Sequence, residues 1–193
     1  RTGLLPFAWQ ANATYADYAN WALDVPMFMV KRGGRTVHNT GQTFRDFWKR
    51  GWEGEVATLG DWESHLGTMF PEVRLKRTLE VRGADSQRTS LTCALPALWK
   101  GLLYSEKSLD ALEALTERFT HDDLAAIRPA VGEQGLKAEL YGERLAAWAE
   151  RIMDISYSGL EEGNRRNARG DHEGIHLKRL SELVAAGTTP AEM

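Results

Sequence analysis

Residues Val73 to Arg82 read VRLKRTLEVR, and within that run a carboxylate and a guanidinium, Glu80 and Arg82, stand two apart. Successive side chains of a β-strand point to opposite faces, so positions two apart share a side at a separation of about 7 Å. A carboxylate held there can ligate Mg²⁺, a hard cation that prefers oxygen. The neighbouring guanidinium can grip a phosphate or carboxylate with two parallel hydrogen bonds. Read as one strand, the segment places Arg74, Lys76, Thr78, Glu80 and Arg82 on a wholly polar face. The opposite face, Val73, Leu75, Arg77, Leu79 and Val81, is expected to pack on a core. Arg74 and Lys76 extend the positive field toward an anionic substrate. Phosphoryl transfer needs this mixture of bound metal and fixed cations where charge develops. The same alternation also describes the solvated face of an antiparallel sheet laced with cross-strand ion pairs. On spacing alone that plainer reading is the more frequent one.

Other candidates are weaker. Cys93 lies among Leu91, Ala94 and Leu95 and reads as a buried small hydrophobe rather than a nucleophile. His121, His172 and His176 have no carboxylate partner at a spacing that makes a metal site. Gly33-Gly34 reads as a turn, because no helix start follows it directly. Trp residues at helical spacing read as core. Arg165, Arg166 and Arg169 read as a solvated loop, with an acidic partner as the other reading.

The elements that must position the Glu80 face begin with a hairpin over Asp24 to Thr40, turning at Gly33-Gly34. Thr43 is expected to cap a short helix carrying Phe44, Phe47 and Trp48 and stopping at Gly51. Asp61 is expected to cap a second, with Trp62, Leu66 and Phe70 on its apolar side. From Ser90 the pattern turns helical through Tyr104, with Pro96 either kinking the helix or lying in its first turn. Ser105 or Ser108 caps the next helix, and Thr120 with Asp123 forms a capping box that opens another through Ala130. A long helix follows from about Gly142 into the Glu161 region, and a last one carries Leu177, Leu180, Leu183 and Val184. Strands and short helices over residues 1–85, then helices over 86–193, give an α+β class read as a single fragment.

Composition narrows the function. Among 193 residues, 24 Lys and Arg face 27 Asp and Glu, a net charge of -3 without the basic excess of a nucleic-acid binder. One cysteine excludes an internal disulfide. No apolar run reaches the roughly 20 residues of a membrane helix, so no membrane partner is expected. The chain starts at Arg1 without an initiator Met and stops just past Pro190. Those ends are expected of a piece of a longer chain or of a trimmed one.

The run FPEVRLKRTLEVRGAD, Phe70 to Asp85, resembles the signature of the glutamate–cysteine ligases of the plant and proteobacterial type. RTGLLPF (1–7), ALDVPMFMVKR (22–32), TGQTFRDF (40–47), CALPALWKGLLY (93–104), GLKAELYG (135–142) and GTTPAE (187–192) resemble that family in the same order. Several long motifs in one order are far more specific than a single short pattern.

The resemblance implies an ATP- and Mg²⁺-dependent ligase that joins the γ-carboxylate of glutamate to the amine of cysteine through a γ-glutamyl phosphate. This is the first step of glutathione synthesis. It implies a fold similar to glutamine synthetase, an antiparallel sheet with a concave polar face backed by helices. It also implies a cytoplasmic location, or a plastid one in a plant. An E-x-R strand in this wider group supplies a metal-binding Glu and a substrate- or phosphate-binding Arg. These fall on Glu80 and Arg82, the expected catalytic pair, with Arg74 and Lys76 as further substrate-binding candidates. Arg1 matches, or lies next to, a substrate-binding Arg of the family. Thr78 and Phe28 stand where the family usually has Tyr, and Val81 where it has Met. Ser86 to Thr89 replaces a Gly-Gly-Pro-Trp-like segment that bears on the substrate pocket. A full member carries a long region before Arg1, with further metal-binding carboxylates and much of the nucleotide site. The chain is therefore expected to be the C-terminal part, inactive alone. The alternative is a non-catalytic domain derived from the ligase and kept for binding or assembly, which has no need of Glu80 with Arg82.

Overall fold

A computed structural model of the chain describes residues 1–39 and 41–192. Thr40, the last residue of the expected hairpin segment and the first of one family-like motif, lies outside the described residues, as does Met193. The chain forms two compact units, Arg1–Gly83 and Ala84–Met193.

In the first unit, strand β1 (Thr2–Gly3) is followed by helix α1 (Tyr15–Asp24). Hairpin β2 (Met29–Arg32) and β3 (Arg35–His38) comes next. Gly33 and Gly34 both take positive φ, 51° and 77°, so the turn has the twist that a two-residue hairpin demands. Helix α2 (Phe44–Arg50) is capped by Thr43, whose hydroxyl accepts from the Asp46 amide, and stops at Gly51 as expected. Helix α3 (Leu59–Gly67) starts at Thr58, three residues before Asp61. Asp61 is thus the third helical residue and the reciprocal partner in a capping box, not the cap. Its carboxylate is also bound by both terminal nitrogens of Arg32, at 2.7 Å each. Phe70 lies beyond α3, in strand β4 (Phe70–Pro71), which pairs in parallel with β1. Met27, Val30, Phe44 and Phe47 form the buried centre of this unit, with Trp52 and Trp62 packed around them.

Val73 to Arg82 is not one strand. It folds back on itself as β5 (Val73–Leu75) and β6 (Leu79–Val81), antiparallel, in the register Val73↔Val81, Arg74↔Glu80, Leu75↔Leu79. Burial departs from the expectation on both faces, although Leu75 and Val81 are half-buried and Lys76 and Thr78 exposed. Val73 and Leu79 are exposed, whereas Arg74 is buried. The guanidinium is drawn in by partners described below, while nothing in this unit covers Leu79, 70% exposed. Among the described residues the strands pair only two by two.

The second unit opens with one turn of helix, α4 (Thr89–Thr92), and then α5 (Ala94–Leu103). Pro96 sits in the first turn of α5, where its missing N–H has no intrahelical partner to lose. Cys93, at the junction of the two, is exposed, against the expectation of burial. Helices α6 (Glu106–Thr116), capped by Ser105, and α7 (His121–Gln134), opened by the Thr120–Asp123 box, follow. A small hairpin, β7 (Glu139–Leu140) and β8 (Glu143–Arg144), leads into the long α8 (Leu145–Gly163), and α9 (Lys178–Ala185) closes the unit. Ala97, Met153, Leu160, Leu177 and Val184 form its main core.

Candidate active site

The hairpin register decides what shares a face. Residues directly opposite one another in an antiparallel pair project to the same side. Three residues, Lys76 to Thr78, separate Leu75 from its partner Leu79, so parity survives the turn and even-numbered residues keep one face. Arg74, Glu80 and Arg82 are therefore grouped, as a single strand would group them, but Arg74 now lies opposite Glu80 rather than six residues along.

Glu80 sits between two guanidiniums. Its Oε2 accepts from Arg74 Nε at 2.7 Å and pairs with Arg74 Nη2 at 2.6 Å. Its Oε1 accepts from Arg82 Nη1 at 2.9 Å. The third nitrogen of the Arg74 guanidinium, Nη1, donates to the Met69 carbonyl at 3.1 Å. Both guanidiniums lie over the Phe70 ring, 5.8 Å from its centroid for Arg74 and 5.3 Å for Arg82. An aromatic face attracts cations at such distances. Phe70 is thus a platform for the two arginines, a role that its place in the quoted motif did not announce.

The two arginines differ in exposure. The Arg74 side chain is 9% accessible, and that of Arg82 is 28%. Arg74 is fixed from below, while Arg82 stands at the rim. The hydrogen bond from Arg74, with the charges of Arg74, Arg82 and Lys76, holds the Glu80 carboxyl below its ordinary range, so it is ionised at neutral pH. Lys76 is exposed at the hairpin tip and reaches Glu80 through its field. The ring of Tyr18, in α1, is buried, and the Leu75 backbone and the Arg74 charge both act on its hydroxyl.

Arg1 enters the neighbourhood through its backbone. Its carbonyl accepts from the Phe70 amide at 2.8 Å, beside the pairing of Thr2 with Phe70. Its guanidinium turns elsewhere, to the carbonyl and hydroxyl of Thr68 at 2.7 and 2.6 Å and to the Pro26 carbonyl, and lies over Phe28. The structure brings Arg74, Glu80 and Arg82 into one hydrogen-bonded set; Arg1 and Lys76 are outside that set.

The residue types match an anion site with a carboxylate in it. Two guanidiniums flank one carboxylate and the Lys76 ammonium acts on it through its field. The sequence profile described as Glutamate-cysteine ligase family 2 matches residues 1–193. The chain belongs to that family. It is 41% identical over its whole length to "Glutamate--cysteine ligase A, chloroplastic" of Oryza sativa subsp. indica, and covers 38% of that protein. It is 42% identical to "Glutamate--cysteine ligase, chloroplastic" of Medicago truncatula, covering 37%, and 41% identical to the Arabidopsis thaliana protein of the same name, covering 36%. The chain thus spans somewhat more than a third of the length of these ligases.

Family membership raises the question of Mg²⁺. Among the described residues no three His, Cys, Asp or Glu side chains gather into a metal site. Glu80 fits the ion as a single carboxylate ligand, since its Oε1 is held only by the half-buried Arg82. The other oxygen is already committed to Arg74. Remaining ligands would have to come from water, substrate or other protein groups.

Proposed function

We propose that the chain supplies the Glu80–Arg82 face to an ATP-dependent ligase that forms the amide between the γ-carboxylate of glutamate and the amine of cysteine. Family membership over the whole chain, together with Glu80 held between two arginines, supports the reading. A γ-carboxylate oxygen attacks the terminal phosphorus of ATP and ADP departs, leaving γ-glutamyl phosphate. The cysteine nitrogen then attacks the acyl carbon, inorganic phosphate leaves, and the amine gives up a proton. Arg82 is placed to grip the transferring phosphoryl group or the substrate carboxylate, and its planar fork suits either. Arg74 and Phe70 keep Glu80 and Arg82 from rotating away, which limits the reorganisation needed as charge develops. Mg²⁺, held in part by Glu80, would neutralise phosphate charge as a Lewis acid. The hairpin would then belong to the polar face of a glutamine-synthetase-like antiparallel sheet. The product is the precursor of glutathione. The chloroplastic names of the relatives support a plastid setting in a plant and leave the cytoplasm as the setting elsewhere.

The test is Glu80→Gln in a complete ligase carrying these residues. Turnover is expected to fall by two or more orders of magnitude with the fold retained, as loss of a ligand or orienting carboxylate does. Near-normal turnover with unchanged Mg²⁺ dependence would remove Glu80 from the site. Arg82→Lys keeps the charge and loses the fork, and is expected to lower turnover at least tenfold.

A further inference from the structure

The two oxygens of Glu80 are not equivalent. Oε2 is bound by Arg74, a side chain at 9% accessibility whose remaining terminal donor is committed to the Met69 carbonyl. Oε1 is bound by Arg82, at 28% accessibility, through a single contact at 2.9 Å. Breaking the first pair would strand a buried guanidinium, which is expensive. Breaking the second separates two groups that water already reaches, and pairs of that kind hold weakly. The site thus has one fixed and one exchangeable half. Yet the exchangeable half joins the two groups that the ligase reading needs separately, Oε1 for a cation and the Arg82 fork for an anion.

We propose that the Glu80–Arg82 pair is an exchange contact, in which Arg74 holds Glu80 in place while Oε1 passes from Arg82 to the divalent cation and Arg82 turns to the anionic substrate. The proposal rests on the reading of this face as a cation and phosphate site. Either ligand must break the same contact, so whichever arrives first removes that cost for the second. Cation and anion therefore bind with positive coupling, and the coupling is reciprocal. In the unliganded state the pair also keeps a lone carboxylate from taking up a cation without substrate. Arg74 is a positioning residue in this scheme, because all its observed hydrogen bonds face Glu80 and Met69.

The experiment titrates Mn²⁺ into the complete ligase without nucleotide, following free aqueous Mn²⁺ by electron paramagnetic resonance, with and without inorganic phosphate and with protein-free controls for Mn²⁺–phosphate association. Phosphate is expected to tighten Mn²⁺ binding at least threefold in the unaltered enzyme, a measurement that needs no variant to fold. Arg82→Gln is expected to tighten Mn²⁺ binding without phosphate and to abolish the effect of phosphate. Binding that weakens in Glu80→Gln but never responds to phosphate overturns the exchange and leaves Glu80 as a ligand. Phosphate coupling that persists in Arg82→Gln also overturns it. Mn²⁺ binding indifferent to Glu80→Gln defeats the underlying reading of the site instead.

Discussion

Besides Tyr18, three titratable side chains are buried among the described residues of the first unit, Asp61, His65 and Arg74, and each of the three has a different remedy. Asp61 is pushed up by burial, but the hydrogen bonds from Arg32 and Thr58 outweigh this and hold it below the ordinary carboxylate range. Arg74 has Glu80. His65 has only half a remedy: Nε2 lies 2.8 Å from the Ala22 carbonyl and so carries its proton there, while Nδ1 is buried without a hydrogen-bond partner. Burial lowers its pKa below the ordinary 6.5, and the nearby charges of Arg1 and the chain's first amine lower it further. The folded state therefore takes up the proton less readily than the unfolded chain does. The stability contributed by neutral His65 is complete above 6.5 and is lost as pH falls from there through the folded value. Thermal denaturation of this chain at a series of pH values should show the midpoint falling below about pH 6.5. His65→Gln, which keeps a donor for Ala22, should flatten that slope. Arg74→Ala should cost about 1–2 kcal/mol in urea denaturation, through lost packing and an orphaned Met69 carbonyl, with Glu80 still paired to Arg82. At this scale the sequence was partly legible. The alternation in VRLKRTLEVR grouped Arg74, Glu80 and Arg82, since a three-residue turn preserves parity. The pairing of Arg74 with Glu80 was not legible, because Lys76-Arg77-Thr78 contains none of the Gly, Asn, Asp or Pro that usually mark a turn.

Helices α5 and α8 meet at two glycines. A Cβ at Gly101 would collide with the Ser156 carbonyl and hydroxyl, and one at Gly159 with the Gly101 carbonyl. The close approach is cross-linked by Ser156 Oγ, which donates to the Leu98 carbonyl at 2.9 Å, while Ser108 Oγ ties α6 to α8 by donating to the Ile155 carbonyl at 3.3 Å. Backbone atoms cannot rotate out of the way as a side chain can. Gly101→Ala should therefore force the helices apart and destabilise the chain by about 1–3 kcal/mol, despite alanine's better helix propensity. Gly159→Ala should do the same, and the double variant less than the sum, since both clashes are relieved by one separation. Chemical denaturation of the single and double variants checks both statements. Local signals foretold many of the elements. Thr43, Ser105 and the Thr120–Asp123 box start helices where their hydroxyls suggest. The β7–β8 hairpin escaped because its turn uses Tyr141 at φ 54°, a conformation that bulky residues rarely adopt. Tertiary contacts hold it there: the Tyr141 hydroxyl donates to Asp123 at 2.5 Å, and Arg118 lies over its ring. Such contacts between distant residues leave no local pattern. Thr58 and Asp61 are both good capping residues, and only the helix register separates the cap from its partner.

For the molecule as a whole, the face of the β5–β6 hairpin opposite Glu80 matters most. Its alternation promised a core-facing surface, yet Val73 is 40% and Leu79 70% exposed. Among the described residues no further strand pairs with the hairpin, so each of its strands also presents an unpaired edge. Exposed aliphatic side chains beside open strand edges favour association between copies. The chain spans little more than a third of the length of the ligases it resembles, and the larger sheet proposed above would cover this face. Two measurements on the 193-residue chain follow. Supplied with glutamate, cysteine, ATP and Mg²⁺, it should yield no γ-glutamylcysteine, and product from this chain alone would refute its dependence on further protein. In sedimentation velocity it should self-associate with rising concentration, and Leu79→Lys should reduce that association by placing a charge on the exposed face. Because Leu79 and Glu80 project to opposite sides of the hairpin, the substitution should leave the Arg74–Glu80–Arg82 set intact. In a complete ligase the same lysine should instead lower stability, by about 1–3 kcal/mol, if the face is buried there against further strands or helices. A lysine tolerated without loss in both settings would show that this face stays in water, and would separate the hairpin from any larger sheet.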